Sequence, residues 1–207
     1  SNISEINSGG SHLLALDNNG LVWAIGSNGF GQLGYGQNSS SSGTPVQVSK
    51  VSNIVSIEAA NSQSFAIDDQ GQLFAWGYNF IGQLGDGTQI SRIVPVLVPT
   101  LSNVVEVKAG AEHTLVRTEE GSLYGMGYGQ SYALGDLYEY KILTPGIVIE
   151  HVVTAIGAGR GSSFIIGSNG LSYSFGYNSS GRLGDGTTDS RSEPAEISWL
   201  LDGVISE

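Results

Sequence analysis

The sequence contains no cysteine, which excludes a disulfide framework and any thiolate metal centre. Positive charge is scarce as well. Eight Lys and Arg stand against 19 Asp and Glu, for a net charge of −11. Nucleic-acid binding needs a basic stripe that neutralises phosphates, and no stretch of this chain supplies one. The same shortage argues against an anionic membrane surface. A protein partner with basic groups suits the charge better, because an acidic surface steers it inward. Charged residues of both signs make up 13% of the chain, about half the usual share. No apolar run reaches the roughly 18 residues of a membrane-spanning helix, and no window shows the period of a long amphipathic helix. The chain opens on Ser1 rather than Met, as expected of a piece processed or excised from a longer product.

Glycine is abundant, with 31 of 207 residues, and 40% of the chain is hydrophobic. Disordered chains combine low hydrophobicity with high charge, and this chain does the opposite. It therefore folds, with many tight turns. The glycines fall in register. Gly31-Gln32-Leu33-Gly34 returns as Gly82-Gln83-Leu84-Gly85, as Tyr132-Ala133-Leu134-Gly135 and as Gly181-Arg182-Leu183-Gly184. Gly26, Gly77, Gly127 and Gly176 form a second series, and Gly20, Gly71, Gly121 and Gly170 a third. Pro45, Pro95, Pro145 and Pro194 form a fourth. Each series advances by 49 to 51 residues. These steps divide the chain into repeats over about 1–51, 52–101, 102–150 and 151–200, with 201–207 opening a further unit.

Within a repeat the period is that of strands. In the second, residues 54–59 and 64–67 form strands, Asp68-Asp69-Gln70-Gly71 a tight turn, and residues 72–76 the returning strand. Residues 95–98 form a fourth, edge strand, with Pro95 at its start, where no N–H is required. Short strands in fours, with a period near 50 residues, predict an all-β fold of propeller blades. One blade cannot cover both its faces, so neighbouring blades must stack on it.

Residues 75–88, Ala-Trp-Gly-Tyr-Asn-Phe-Ile-Gly-Gln-Leu-Gly-Asp-Gly-Thr, resemble the signature of the regulator of chromosome condensation repeats. Residues 174–187 carry a similar signature, as do residues 24–37 with Tyr35 and Gln37 in place of its Asp and Thr. The half-signature over residues 9–16 is echoed at 110–116 around His113. The resemblance covers essentially the whole chain. It implies a seven-bladed β-propeller in which strands of one repeat are shared between adjacent blades. The founding member is an exchange factor for the GTPase Ran on chromatin, and other members are interaction platforms, light sensors or parts of ubiquitin ligases. That exchange factor has a basic tail and an inserted hairpin wedge. No basic tail lies in these 207 residues, and the near-constant spacing leaves no room for the hairpin. Four repeats leave three arrangements open: part of a larger propeller, closure with fewer blades, or pairing with another copy through open blade edges.

Several patterns look like chemistry and are better explained by the repeat. Residues 29–34 match GxGxxG, but loop rather than helix follows, so no phosphate site forms. Asp86-Gly87-Thr88 and Asp185-Gly186-Thr187 offer a single carboxylate each, too few for calcium, and read as capped turns. His12 and His113 share a register that Gln63 and Ser162 occupy in the other repeats, which suits hydrogen-bonded structural histidines at strand starts. The sequons at Asn2, Asn38 and Asn178 are expected by chance in a chain this rich in Asn and Ser. Trp23, Phe74, Tyr124 and Tyr173, with Ile25, Trp76, Met126 and Phe175, read as core between blades. No catalytic motif appears, and no catalytic residue, cofactor or metal ligand is assigned.

The varying loop positions are free to specify a partner. Among them stand Phe30, Tyr78, Phe80, Tyr128 and Tyr177, and aromatics on loops make good contact anchors. The third repeat departs most, with Tyr138 and Tyr140 beside acids in place of the Asp-Gly-Thr turn. Those two rings either meet a partner or pack into their own blade. The function expected is a non-enzymatic protein-interaction scaffold, with guanine-nucleotide exchange on a small GTPase as the alternative. The Cys-free, Asn/Ser/Gly-rich composition leans towards a bacterial, exported protein.

Overall fold

The computed structural model describes residues 2–37, 39–137 and 139–197. They form four antiparallel sheets of four strands, each a simple meander. The first sheet holds β1 (Ile3–Ser8), β2 (His12–Asp17), β3 (Val22–Ser27) and β4 (Ser41–Gln47). The second holds β5 (Ile54–Ala59), β6 (Gln63–Asp68), β7 (Leu73–Gly77) and β8 (Arg92–Leu97). The third holds β9 (Val104–Ala109), β10 (His113–Thr118), β11 (Leu123–Gly127) and β12 (Ile142–Ile149). The fourth holds β13 (Val153–Ala158), β14 (Ser162–Gly167), β15 (Ser172–Gly176) and β16 (Arg191–Glu196). Each sheet is one blade, contiguous in sequence, so among the described residues no strand is lent to a neighbour, which corrects the sharing implied by the resemblance. No helix among the described residues is long and apolar enough to cross a membrane.

Stacking explains which strands alternate. In β2, on the first blade, burial alternates, whereas β6 and most of β10 are buried throughout because blades cover both faces. Leu14, Leu16, Val22 and Ala24 of the first blade meet Ile57, Ala66 and Trp76 of the second in one apolar cluster. Phe65, Ile67, Leu73 and Ala75 point the other way, into a cluster shared with the third and fourth blades. The opposite face of the first blade is less covered. There Leu13, Trp23 and Ile25 are half-buried around an apolar cavity of about 360 Å³.

The Gly-x-Leu-Gly loop clasps the next blade. Leu33, Leu84, Leu134 and Leu183 are fully buried anchors. A Cβ on Gly34 would lie 2.6 Å from Nε1 of Trp76, and one on Gly85 would lie 2.1 Å from Sδ of Met126, each on the following blade. Both glycines also have φ near +70°, a region costly for any residue with a Cβ. The clasp continues with Gly36 N–H donating to Ile93 O at 3.0 Å and Gly87 N–H donating to Leu143 O at 2.9 Å.

The marker prolines differ from expectation. β8 begins at Arg92, so Pro95 lies inside the strand rather than at its start. The register there jumps from Ala75↔Val96 to Gly77↔Arg92. Pro45, Pro145 and Pro194 fall within corresponding shifts of β4, β12 and β16. A bulge leaves residues out of the ladder, so a residue without an N–H costs nothing there.

Candidate protein-interaction face

In a four-stranded meander, the connections between first and second strands and between third and fourth strands emerge at the same end. That end gathers the loops over residues 9–11, 61–62, 111–112 and 160–161, together with the long loops that follow β3, β7, β11 and β15. A cavity of about 910 Å³ opens among them, lined by residues that include Phe30, Asn61, Tyr78, Glu112 and Arg160.

Two predicted aromatics, Phe30 and Tyr78, line it and meet a third, Phe80. Phe30 from the first blade stands edge-on to Tyr78 of the second, with ring centres 4.9 Å apart. Phe80 lies 4.9 Å from Tyr78 and 6.2 Å from Phe30. Phe30 is 40% exposed and Phe80 53%, so the cluster is built at the surface rather than in the core. Tyr128 and Tyr140 form a second pair at 5.6 Å, with the Lys141 ammonium 5.5 Å from the Tyr140 ring centre. Tyr140 is thus exposed and also packed against its own blade. Tyr177 shares a cavity lining with Tyr128 and has the Arg182 guanidinium 5.0 Å above its ring. Tyr138 lies outside the described residues.

The loop that carries Phe80 is held from below. Asn79 is fully buried, its Oδ1 accepting from Leu84 N–H at 3.0 Å and its Nδ2 donating to Asp86 at 2.9 Å. Asp86 also accepts from Thr88 N–H and Oγ1 and pairs with Arg92 at 2.6 Å. Desolvation opposes the charge of Asp86, but the bonds from Thr88 and Arg92 outweigh it and hold the carboxyl below its usual range. Asn178, Asp185, Thr187 and Arg191 repeat the arrangement in the fourth blade. The turn-capping reading of Asp86 and Asp185 therefore holds, and the full burial of Asn178 removes its sequon from the surface. We expect Asp86→Ala to cost about 1–3 kcal/mol, because it strips partners from buried donors, as read from urea unfolding.

Directly beneath the face run the two histidines, at the starts of β2 and β10 as expected. Ser64 Oγ donates to Gln32 O at 2.8 Å, so it accepts from His12 Nε2–H, also at 2.8 Å. Trp76 Nε1 donates to the same carbonyl at 2.9 Å. His113, Ser163 and Ala133 O repeat the relay two seams further on. Thr114 Oγ1 donates to Gln83 O at 2.8 Å in the seam between, where Gln63 holds the histidine position. Burial pushes both imidazoles down to about 4, leaving them neutral near pH 7.

Sequence reasoning missed Glu112, Arg160 and Arg182 as members of this face. For Glu112 and Arg160 a signal was present, since positions 10–11, 61–62, 111–112 and 160–161 read Gly-Ser, Asn-Ser, Ala-Glu and Arg-Gly in the four repeats. No group of His, Asp or Glu able to hold a metal ion occurs among the described residues. The geometry offers contact surface, with hydrogen-bonding groups and rings, while the buried Ser64 and Ser163 hydroxyls beside the two histidines are committed to backbone carbonyls.

Comparison with known proteins agrees with the fold. Residues 1–206 match the RCC1-like domain family. Human HERC4, named a probable E3 ubiquitin-protein ligase, is 33% identical over 203 residues, which is 94% of this chain and 19% of that one. Human WBSCR16 superposes with a TM-score of 0.86 at 21% identity, covering 97% of this chain and 53% of that structure. Yeast RCC1 (Prp20), solved bound to Kap60, gives 0.81 at 24% identity, covering 95% and 48%. The chain thus spans about a fifth of HERC4 and about half of each solved relative. These relatives are eukaryotic and lend nothing to the bacterial lean of the composition. With sixteen strands in four blades, the repeat signature and a match along almost its whole length, the chain belongs to the RCC1-like domain family of β-propellers.

Proposed function

We propose that the chain is a non-enzymatic protein-interaction module that grips its partner through the loop face, with Phe30, Tyr78 and Phe80 as the anchor. The observation that carries this reading is the three-ring cluster itself. Its members come from two blades, Phe30 and Tyr78 line the cavity, and the two most exposed rings are not needed to fill the core. Exposed aromatic groups of this kind concentrate binding energy in known interfaces. Tyr140 and Tyr177 extend the same end of the blades, and Tyr138 belongs to the same loop as Tyr140.

The test is affinity capture with the wild-type chain and with a Phe30→Ser/Phe80→Ser double variant. Partners should be lost from the variant while its melting temperature stays within a few degrees. A large drop in melting temperature would place the rings in the fold rather than in an interface. Exchange activity is separable with the same protein. A yeast relative of the same fold, Prp20p, was characterised for binding to Gsp1p and histones, so small GTPases belong in the assay. Accelerated release of fluorescent GDP from any of them would replace the scaffold reading by exchange.

A further inference from the structure

The geometry points to a carboxylate-binding subsite on the loop face, formed by Arg160 and Arg182 and suited to an acidic peptide segment of a partner. This rests on the reading of that face as an interaction surface and names the chemistry of one part of it.

The chain has five arginines. Arg92, Arg117 and Arg191 each pair with an acid. Arg160 and Arg182 have no carboxylate partner among the described residues, although acids outnumber bases 19 to 8. Both line one cavity of about 530 Å³ between the third and fourth blades. Arg160 is exposed, and Arg182 is half-buried with its guanidinium over the Tyr177 ring. A guanidinium held over a ring face, its central carbon 5.0 Å from the ring centre, can still direct N–H groups to a planar acceptor. Tyr128, Ser131 and Ser179 line the same cavity and add hydroxyl groups that can donate. Glu112 is the acid on this lining, and it leaves the pair of arginines in excess.

Two forked donors around a small polar cavity match carboxylates, which Arg binds through parallel N–H···O bonds. The acids elsewhere on the chain repel an acidic peptide, and at this cavity the two arginines oppose that repulsion. At an ionic strength of about 0.1 M the distant acids are screened beyond roughly 10 Å, and the local pair decides the outcome.

A fluorescein-labelled hexaglutamate peptide, followed by anisotropy at about 0.1 M salt, tests this directly, with hexalysine and an uncharged glycine-serine peptide as controls. Hexaglutamate should bind more tightly than the uncharged peptide. Arg160→Gln/Arg182→Gln should weaken it at least tenfold, and Arg182→Lys should weaken it less. Glu112→Gln should tighten it, which a merely structural role for these residues would not produce. Phe30→Ser/Phe80→Ser should leave it unchanged. Equal binding of hexaglutamate and the uncharged peptide, or binding insensitive to the double arginine change, overturns the subsite. Capture of a partner through the aromatic cluster would survive that result, so the two readings fail separately.

Discussion

Trp76→Ala is expected to lower the stability of the fold by about 3–5 kcal/mol, the range for deleting a fully buried large aromatic side chain. The reason is its position in a seam. Trp76 is fully buried between the first two blades, packs with Leu14, Leu33 and Ala24, and closes against the backbone of Gly34. Its Nε1–H also satisfies Gln32 O. Truncation would leave a cavity lined by two blades, which cannot both collapse into it without breaking their own ladders. Trp76→Phe should cost less, because Gln32 O keeps the Ser64 hydroxyl and only one net hydrogen bond of about 1 kcal/mol disappears with part of the ring. Met126 and Phe175 fill the equivalent sites in the third and fourth blades. Trp23→Ala serves as the comparison, since that ring is half-buried on the less covered face of the first blade. Guanidinium unfolding of the three variants decides the matter. If Trp76→Ala costs no more than Trp23→Ala, the seam is not where stability resides.

Acid should destabilise the protein before its carboxylates begin to protonate. His12 and His113 are held down to about 4, from 6.5 when exposed to water, by burial beneath the loop face. The unfolded chain therefore takes up protons that the folded chain refuses, and stability falls as pH drops below 6.5 until the folded value is passed. Each histidine accounts for about 3 kcal/mol over that interval. Asp86 and Asp185 sit below the usual carboxylate range, so their contributions are lost only at lower pH. Glu5, raised by desolvation, works in the opposite direction. His12→Gln/His113→Gln should flatten the curve between pH 6.5 and 4, because Gln63 already occupies that register in the second blade. Denaturant unfolding at a series of pH values reads the slope, and an unchanged slope in the double variant would assign the acid loss to other groups.

Much of this architecture was legible in the chain. The 49–51-residue steps marked the blades, the Asp-x-x-Gly turns marked the hairpins, and the ends of β5 were placed correctly. Spacing says that a glycine recurs, but it does not say what the glycine touches. Gly34 and Gly85 are required by side chains about 40 residues away on another blade, a contact that no local pattern records. The prolines misled for a related reason, since a bulge changes which N–H groups are needed and only the partner strand reveals a bulge. On the loop face, Phe30 and Phe80 were each visible as loop aromatics. Their meeting with Tyr78 depends on how two blades stack. Arg160 and Arg182 went unnoticed because an arginine without an acid partner is recognised only once every other pairing is known.

The clasp also sets what a repeat can be exchanged for. In the first three blades, the loop after the third strand belongs to its own blade by covalent connection but to the following blade by contact. A blade transplanted whole would bring a clasp shaped for a successor it no longer has, and would meet a clasp shaped for the blade it replaced. The module that moves without disturbing either fit begins at the loop after one third strand and ends at the next third strand. Cuts at Gly26, Gly77 or Gly127, in the middle of a sheet, are therefore expected to keep each clasp with the blade it grips, as cuts at the linkers between sheets do not.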